Sequence, residues 1–276
     1  MSIRPRTAAA VAVLACALVL ALVAGVAFGA VSIAPAQIVS AIGRAISGAA
    51  RSPADAVIVD IRLPRVLLAA LVGACLATAG VLYQALFRNP LADPYILGVS
   101  SGAGLGAILV LVATSASTAL RFGAVPAGAF VGALLTIALV VRLASLGGRL
   151  DTASLLLAGV ALSYTLAALT SFVMVFARES MAAVVFWMMG GLTSASWPYV
   201  MAVAPMFVLG ALVPLANTRA LNLMLLGDDR AGELGLPVER FKVLMLATGS
   251  LLTAAAVAVS GLIGFVGLMT PHMVRL

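Results

Sequence analysis

Few residues of this 276-residue chain carry side chains able to do chemistry, and most of those are charged. There is one histidine, there are two cysteines and nine carboxylates, and of sixteen basic residues only Lys242 is not an arginine. Eight charges crowd between Asn217 and Lys242, namely Arg219, Asp228, Asp229, Arg230, Glu233, Glu239, Arg240 and Lys242. The core of this stretch, GDDRAGELGLP, predicts a helix of one to two turns. Asp228 and Asp229 suit the positive end of a helix dipole, Gly235 can take the left-handed C-terminal conformation, and Pro237 prevents continuation. So short a helix is unstable in water unless it packs, which favours docking against another protein. On charge alone, a solvated connector fits equally well.

A second pair is Arg62 and Arg65, in Arg-Leu-Pro-Arg. Residues at i and i+3 project on neighbouring faces, so the two could receive carboxylates from another protein or snorkel to anionic lipid headgroups. Gly98, Gly102 and Gly106, each four apart, permit close helix contact by the small-xxx-small rule, and packing is their default meaning.

Other chemistries lack residues. A phosphate-binding P-loop needs Gly-Lys-Ser/Thr, whereas Lys242 stands between Phe241 and Val243. There is no His-Glu-x-x-His zinc pair, no intramembrane aspartate pair and no metal cluster, so an enzyme is not expected. His272, after Pro271, reads as a packing or interface residue. Cys16 and Cys75 fall in apolar runs, where a thiol is a small apolar filler. The net charge of +7 is spread over loops rather than gathered in a stripe, which argues against nucleic acid.

The elements that must carry these residues follow from composition. The chain is 64% apolar and 9% charged, against roughly 45–50% and about 25% in a soluble domain. Twenty-five charges cannot cover a water-facing surface, so the solvent is lipid. Seven stretches free of Asp, Glu, Lys and Arg (7–43, 66–87, 94–120, 122–141, 152–177, 180–218 and 243–274) are each long enough for a span. The first predicts an uncleaved span ending near Phe28, then a loop to about 60. That at 180–218 becomes a span only after Trp197-Pro198. The last holds two, divided at Ser260-Gly261, making eight. With the N-terminus (Arg4, Arg6) in the cytoplasm, ten of the sixteen basic residues fall on the cytoplasmic side. No carboxylate lies in these stretches, which disfavours a proton-driven pump.

Taken together, RLPRVLLAALVGACLATAGVLYQALFRNPLADPYILGVSSGAGLG (62–106), DTASLLLAGVAL (151–162), FWMMGGLTSASW (186–197), LGDDRAGELGLPVERFK (226–242) and GLIGFVGLMTPHMVRL (261–276) resemble the FecCD-type permeases. These are membrane subunits of importers for iron-siderophore, haem and cobalamin. The resemblance implies an all-α polytopic permease, a single transmembrane domain over 1–276 in the plasma membrane. It implies a second permease subunit, as homo- or heterodimer, two cytoplasmic ATPases and an extracytoplasmic binding protein. This chain would bind no cofactor, ATP and Mg belonging to the ATPase. Arg62 and Arg65 match the outer arginines that receive the binding protein, and the 219–237 loop matches the coupling helices. Thr152 and Ser154 match the region of the cytoplasmic gate, with Ser163 a path-lining residue. Family members have ten spans, so the sequence is expected to lack the last two helices. Iron-siderophore is preferred as cargo on family frequency. An ion-coupled secondary transporter acting alone and a non-transporting structural subunit are the rival expectations.

Overall fold

The computed structural model describes residues 5–29, 31–114, 118–147, 150–177 and 180–275, so Arg4 lies outside the described residues. In chain order the helices are α1 (Pro5–Ala27), α2 (Pro35–Ser47), α3 (Pro53–Ala56), α4 (Leu63–Phe87), α5 (Val99–Ala113), α6 (Thr118–Ala144) and α7 (Thr152–Met174). There follow α8 (Met181–Met189), α9 (Trp197–Ala216), α10 (Thr218–Met224), α11 (Asp228–Glu233), α12 (Val238–Ser260) and α13 (Val266–Arg275). Among the described residues there is no strand. Among the described residues, six helices are long and apolar enough to cross a membrane: Ala8–Ala27, Pro53–Phe87, Gly123–Ala144, Thr152–Met174, Trp197–Ala216 and Val238–Ser260.

Each of the eight expected spans contains a helix, but two are short. The stretch 94–120 opens with a 3₁₀ turn, Pro94–Leu97, capped by Asp93, whose carboxylate accepts the Tyr95 N–H at 2.8 Å. Gly98 then takes a left-handed φ of 77° that turns the chain into α5. At 15 residues, α5 rises only about 22 Å, less than a bilayer core. The last helix begins at Val266 rather than near 262, because Gly261 (φ 64°) and Phe265 (φ 67°) interrupt the backbone after α12.

The loop expected between Phe28 and about 60 is largely helical. Pro35 starts α2, the Gln37 side chain accepts the Ala34 N–H at 3.2 Å, and left-handed Gly48 ends it. A further helix starts at Pro53 with Ser52 and Asp55 capping each other, and continues through a π-helical turn, Val57–Arg62, into α4.

The chain divides into two compact units. The first comprises residues 1–70 and 193–201. Its core joins Val26 and Ala27 of α1, Ile38 and Ala41 of α2, and Ile58 and Val59 of the π turn. Arg44 forms a forked ion pair with Asp55 at 2.9 and 2.7 Å, and the Trp197 indole N–H donates to the Val59 carbonyl at 2.9 Å.

The second unit comprises 71–192 and 202–276, with α12 at its centre. Buried residues make up 72% of the apolar window of α12, against 11% for α7. Its core gathers Leu82 and Tyr83 of α4, Ala103 and Ala107 of α5, Ala129 and Ala133 of α6, Leu155 of α7, and Met245 and Leu246 of α12. The hydroxyls of Tyr83 and Ser250 are 2.7 Å apart, giving a buried Tyr a partner between α4 and α12.

Candidate functional site

The charged stretch folds as two short helices, α10 and α11, joined at Leu225–Gly227. Gly227 turns the chain with a φ of 105°, Asp228 and Asp229 occupy the first turn of α11, and Gly235 has a φ of 87° after its end. The Leu236 N–H closes back on the Ala231 carbonyl at 3.0 Å, a helix terminator built on the left-handed glycine. Pro237 stands directly before α12.

The side chains of this stretch divide by direction. Arg219, Asp229, Arg230, Glu233 and Gly235 are exposed. So are Leu225, Leu226 and Leu234, which place uncovered apolar side chains among the charges. Asp228 is turned inward, where its carboxylate accepts from the Lys242 Nζ. Arg88, just past α4, takes a left-handed φ of 49° and lays its guanidinium against Gly227, where a Cβ would be 2.9 Å from Nη1. Together Arg88, Gly227, Asp228, Asp229, Arg230 and Glu233 line an open cleft of about 620 Å³. Charge density marked the loop in the sequence; Arg88 counted there only as a basic residue on the cytoplasmic side, and Leu225, Leu226 and Leu234 carried no signal in either charge or spacing.

The arginine pair separates. Arg62 Nη1 donates to the carbonyls of Val26 at 2.8 Å and Ala27 at 3.2 Å, and Nη2 donates to Val31. These are the last carbonyls of α1 and the turn beyond it, where helical partners run out, although Ala27 also accepts the Ile33 N–H at 3.0 Å. Arg65 is exposed and makes one long hydrogen bond, 3.3 Å to the Thr193 carbonyl.

The expected gate residues begin α7. Asp151 caps that helix by accepting the Ser154 N–H at 2.9 Å, and its hydrogen bonds to Ser154 hold the carboxyl below the usual carboxylate range. Thr152 and Ser154 are half-buried there. Farther along α7, the Ser163 hydroxyl donates to Gly159 of its own helix at 2.7 Å.

The three glycines do not share one role. A Cβ on Gly102 would lie 1.9 Å from Thr136 Oγ1, and one on Gly106 would lie 2.1 Å from the Gly128 carbonyl, so both mark the crossing of α5 with α6. Gly98 faces α7 instead, where its Cβ would meet Ser163 Oγ at 2.8 Å. Gly98-Val99-Ser100-Ser101-Gly102 has the spelling of a hydrolase nucleophile elbow, which requires a strand before the turn. A 3₁₀ turn precedes it here, so the spelling carries no chemistry.

The chain is similar to several known proteins. The cobalamin import system permease protein BtuC of Halobacterium salinarum is 45% identical over 223 residues, which are 81% of this chain and 59% of that protein. The hemin transport system permease protein HmuU of Yersinia pestis is 40% identical over 79% of this chain and 65% of its own length. The chain thus spans about 60% of the length of the curated relatives it matches. The solved structure of a metal-chelate type ABC transporter in an inward-facing conformation superposes with a TM-score of 0.81 at 31% identity, covering 95% of this chain and 79% of that one. The model of the FecCD transport family matches residues 17–276, and the chain belongs to that family.

Proposed function

We propose that this chain is the permease subunit of an ATP-binding cassette importer, moving a metal chelate inward by alternating access. The observation that carries this reading is the α10–α11 segment. Here the chain exposes its densest group of charges together with Leu225, Leu226 and Leu234, apolar side chains that a partner protein could cover within a polar rim. In this reading α10 and α11 sit in the cytoplasm on a separate ATPase, which supplies the ATP and Mg, and the N-terminus is cytoplasmic. A second permease subunit, identical or not, completes the path. Thr152 and Ser154 form part of the inner gate and Ser163 lines the path.

On the extracytoplasmic side a binding protein delivers the cargo, and of the two arginines Arg65 is the exposed one, free to meet its carboxylates. Relatives named for cobalamin and hemin transport support a metal chelate as cargo. Among them an iron-siderophore is the preferred cargo. The chain acts as the lever and catalyses nothing itself.

The test is purification of the chain from its native membrane, followed by uptake in proteoliposomes. A P-loop ATPase is expected to co-purify and to be lost when Asp229 and Glu233 are replaced by Lys, with uptake abolished. Uptake driven by an ion gradient without ATP would replace this reading with a secondary transporter.

A further inference from the structure

Lys242, the only lysine of the chain, is 3% exposed. Its Nζ donates to the Leu150 carbonyl at 2.6 Å and to the Asp228 carboxylate. Three residues earlier on α12, Glu239 Oε2 accepts the N–H of the same Leu150 at 3.0 Å. Both backbone groups of Leu150 are therefore gripped by side chains from the first turn of α12, and the lysine also grips the first residue of α11. Leu150 is itself 5% exposed and directly precedes Asp151, the cap of α7. Residues 92 and 14 positions from Lys242 meet on one ammonium group.

Burying an ammonium is a poor way to gain stability, because desolvation offsets much of the attraction to its partners. In some proteins a buried polar or ionic group instead fixes one arrangement of the elements it joins. Glu239 is exposed overall and Asp228 half-buried, so this clasp lies near the surface of the second unit, to which α7, α11 and α12 all belong. We infer that Lys242 is a positioning residue that makes α11 and the start of α7 move as one body with α12. On the reading of α11 as the ATPase-docking helix, on which this inference rests, a displacement of Asp228 is carried through Lys242 to the Leu150 carbonyl. It reaches Thr152 and Ser154 in the first turn of α7.

The readout is cargo imported per ATP hydrolysed by the whole complex in proteoliposomes, with ferric citrate, haem and cyanocobalamin tried in turn as probe. Lys242→Met removes both donated bonds at similar volume, and the ratio is expected to fall about tenfold. Because Asp228 acts through the same clasp, Asp228→Asn combined with Lys242→Met is expected to be no worse than the worse single variant. An unchanged ratio in Lys242→Met, or losses that multiply in the double variant, overturns the inference. Where Lys242→Met fails to insert, Glu239→Ala frees the Leu150 N–H alone and is expected to lower the ratio, while Glu239→Gln retains an acceptor and keeps it. Equal ratios in those two also overturn it. The importer reading fails separately, when the wild-type complex moves the probe without ATP or not at all; the clasp failing by itself leaves ATP-driven import intact and the variants indistinguishable from wild type.

Discussion

Arg62 shows how a side chain with an apparent binding role can be committed to the fold. Its guanidinium serves the Val26, Ala27 and Val31 carbonyls; Arg62→Ala leaves Val26 and Val31 without this donor, while Ala27 keeps the Ile33 N–H at 3.0 Å. A loss of about 1–3 kcal/mol is expected from orphaned carbonyls, read as a lower unfolding midpoint in detergent. Arg65→Ala, by contrast, should stay within about 0.5 kcal/mol of wild type, as exposed substitutions do. If the two variants lose stability equally, the capping role of Arg62 is wrong. Asp151 allows a pH test. A carboxyl held below its unfolded value contributes stability above that value and loses it as pH falls through the folded one. The protection of the Ser154 amide relative to its free exchange rate at the same pH should therefore be steady from about pH 8 to pH 5 and fall only below about pH 4. In Asp151→Asn, which retains an acceptor without the charge, that fall should disappear.

Among the elements, the crossing of α5 and α6 depends on missing side chains. Gly102 and Gly106 lie against Gly132, Thr136 and Gly128 so closely that backbone meets backbone. Gly106→Ala would put a methyl 2.1 Å from the Gly128 carbonyl, and the forced separation should cost about 1–3 kcal/mol, seen in thermal unfolding. On the same helix Gly104 meets nothing within 4 Å, so Gly104→Ala should be neutral or stabilising by up to about 1 kcal/mol. A neutral Gly106→Ala would show that the helices do not cross there. The short helix α11 stands on a different footing. Six residues cannot hold a helix by themselves. Asp228 tied to Lys242, buried Ala231 and the Gly235 terminator supply the packing that its length does not.

For the molecule as a whole, the two units carry the two proposed docking faces, Arg65 in the first and α10–α11 in the second. Replacing Arg65 with Glu should weaken capture of the binding protein while leaving the co-purifying ATPase in place. Replacing Asp229 and Glu233 with Lys should do the reverse. The pair of pull-downs checks both assignments at once, since each variant serves as the other's control. If Arg65→Glu leaves binding-protein affinity unaltered, Arg65 returns to the role of a lipid-headgroup anchor.

Much of this protein could be read from the order of its residues. Long uncharged runs require spans, because lipid leaves no other way to satisfy a backbone. Gly235 and Pro237 mark the end of α11, and Trp197-Pro198 the start of α9, because these residues act through their own dihedral angles. Local chemistry also explains what was missed: Pro35 and Gly48 bound a helix inside what had read as a loop, and Gly98 cuts α5 short. The partners were beyond reach. A helix apolar on every side has no polar face to reveal which side is packed. Only the tertiary structure could therefore put Gly102 on Gly132, Arg62 on the end of α1, and Lys242 on Leu150. Each of these depends on where distant backbone carbonyls come to rest, which no local spacing encodes.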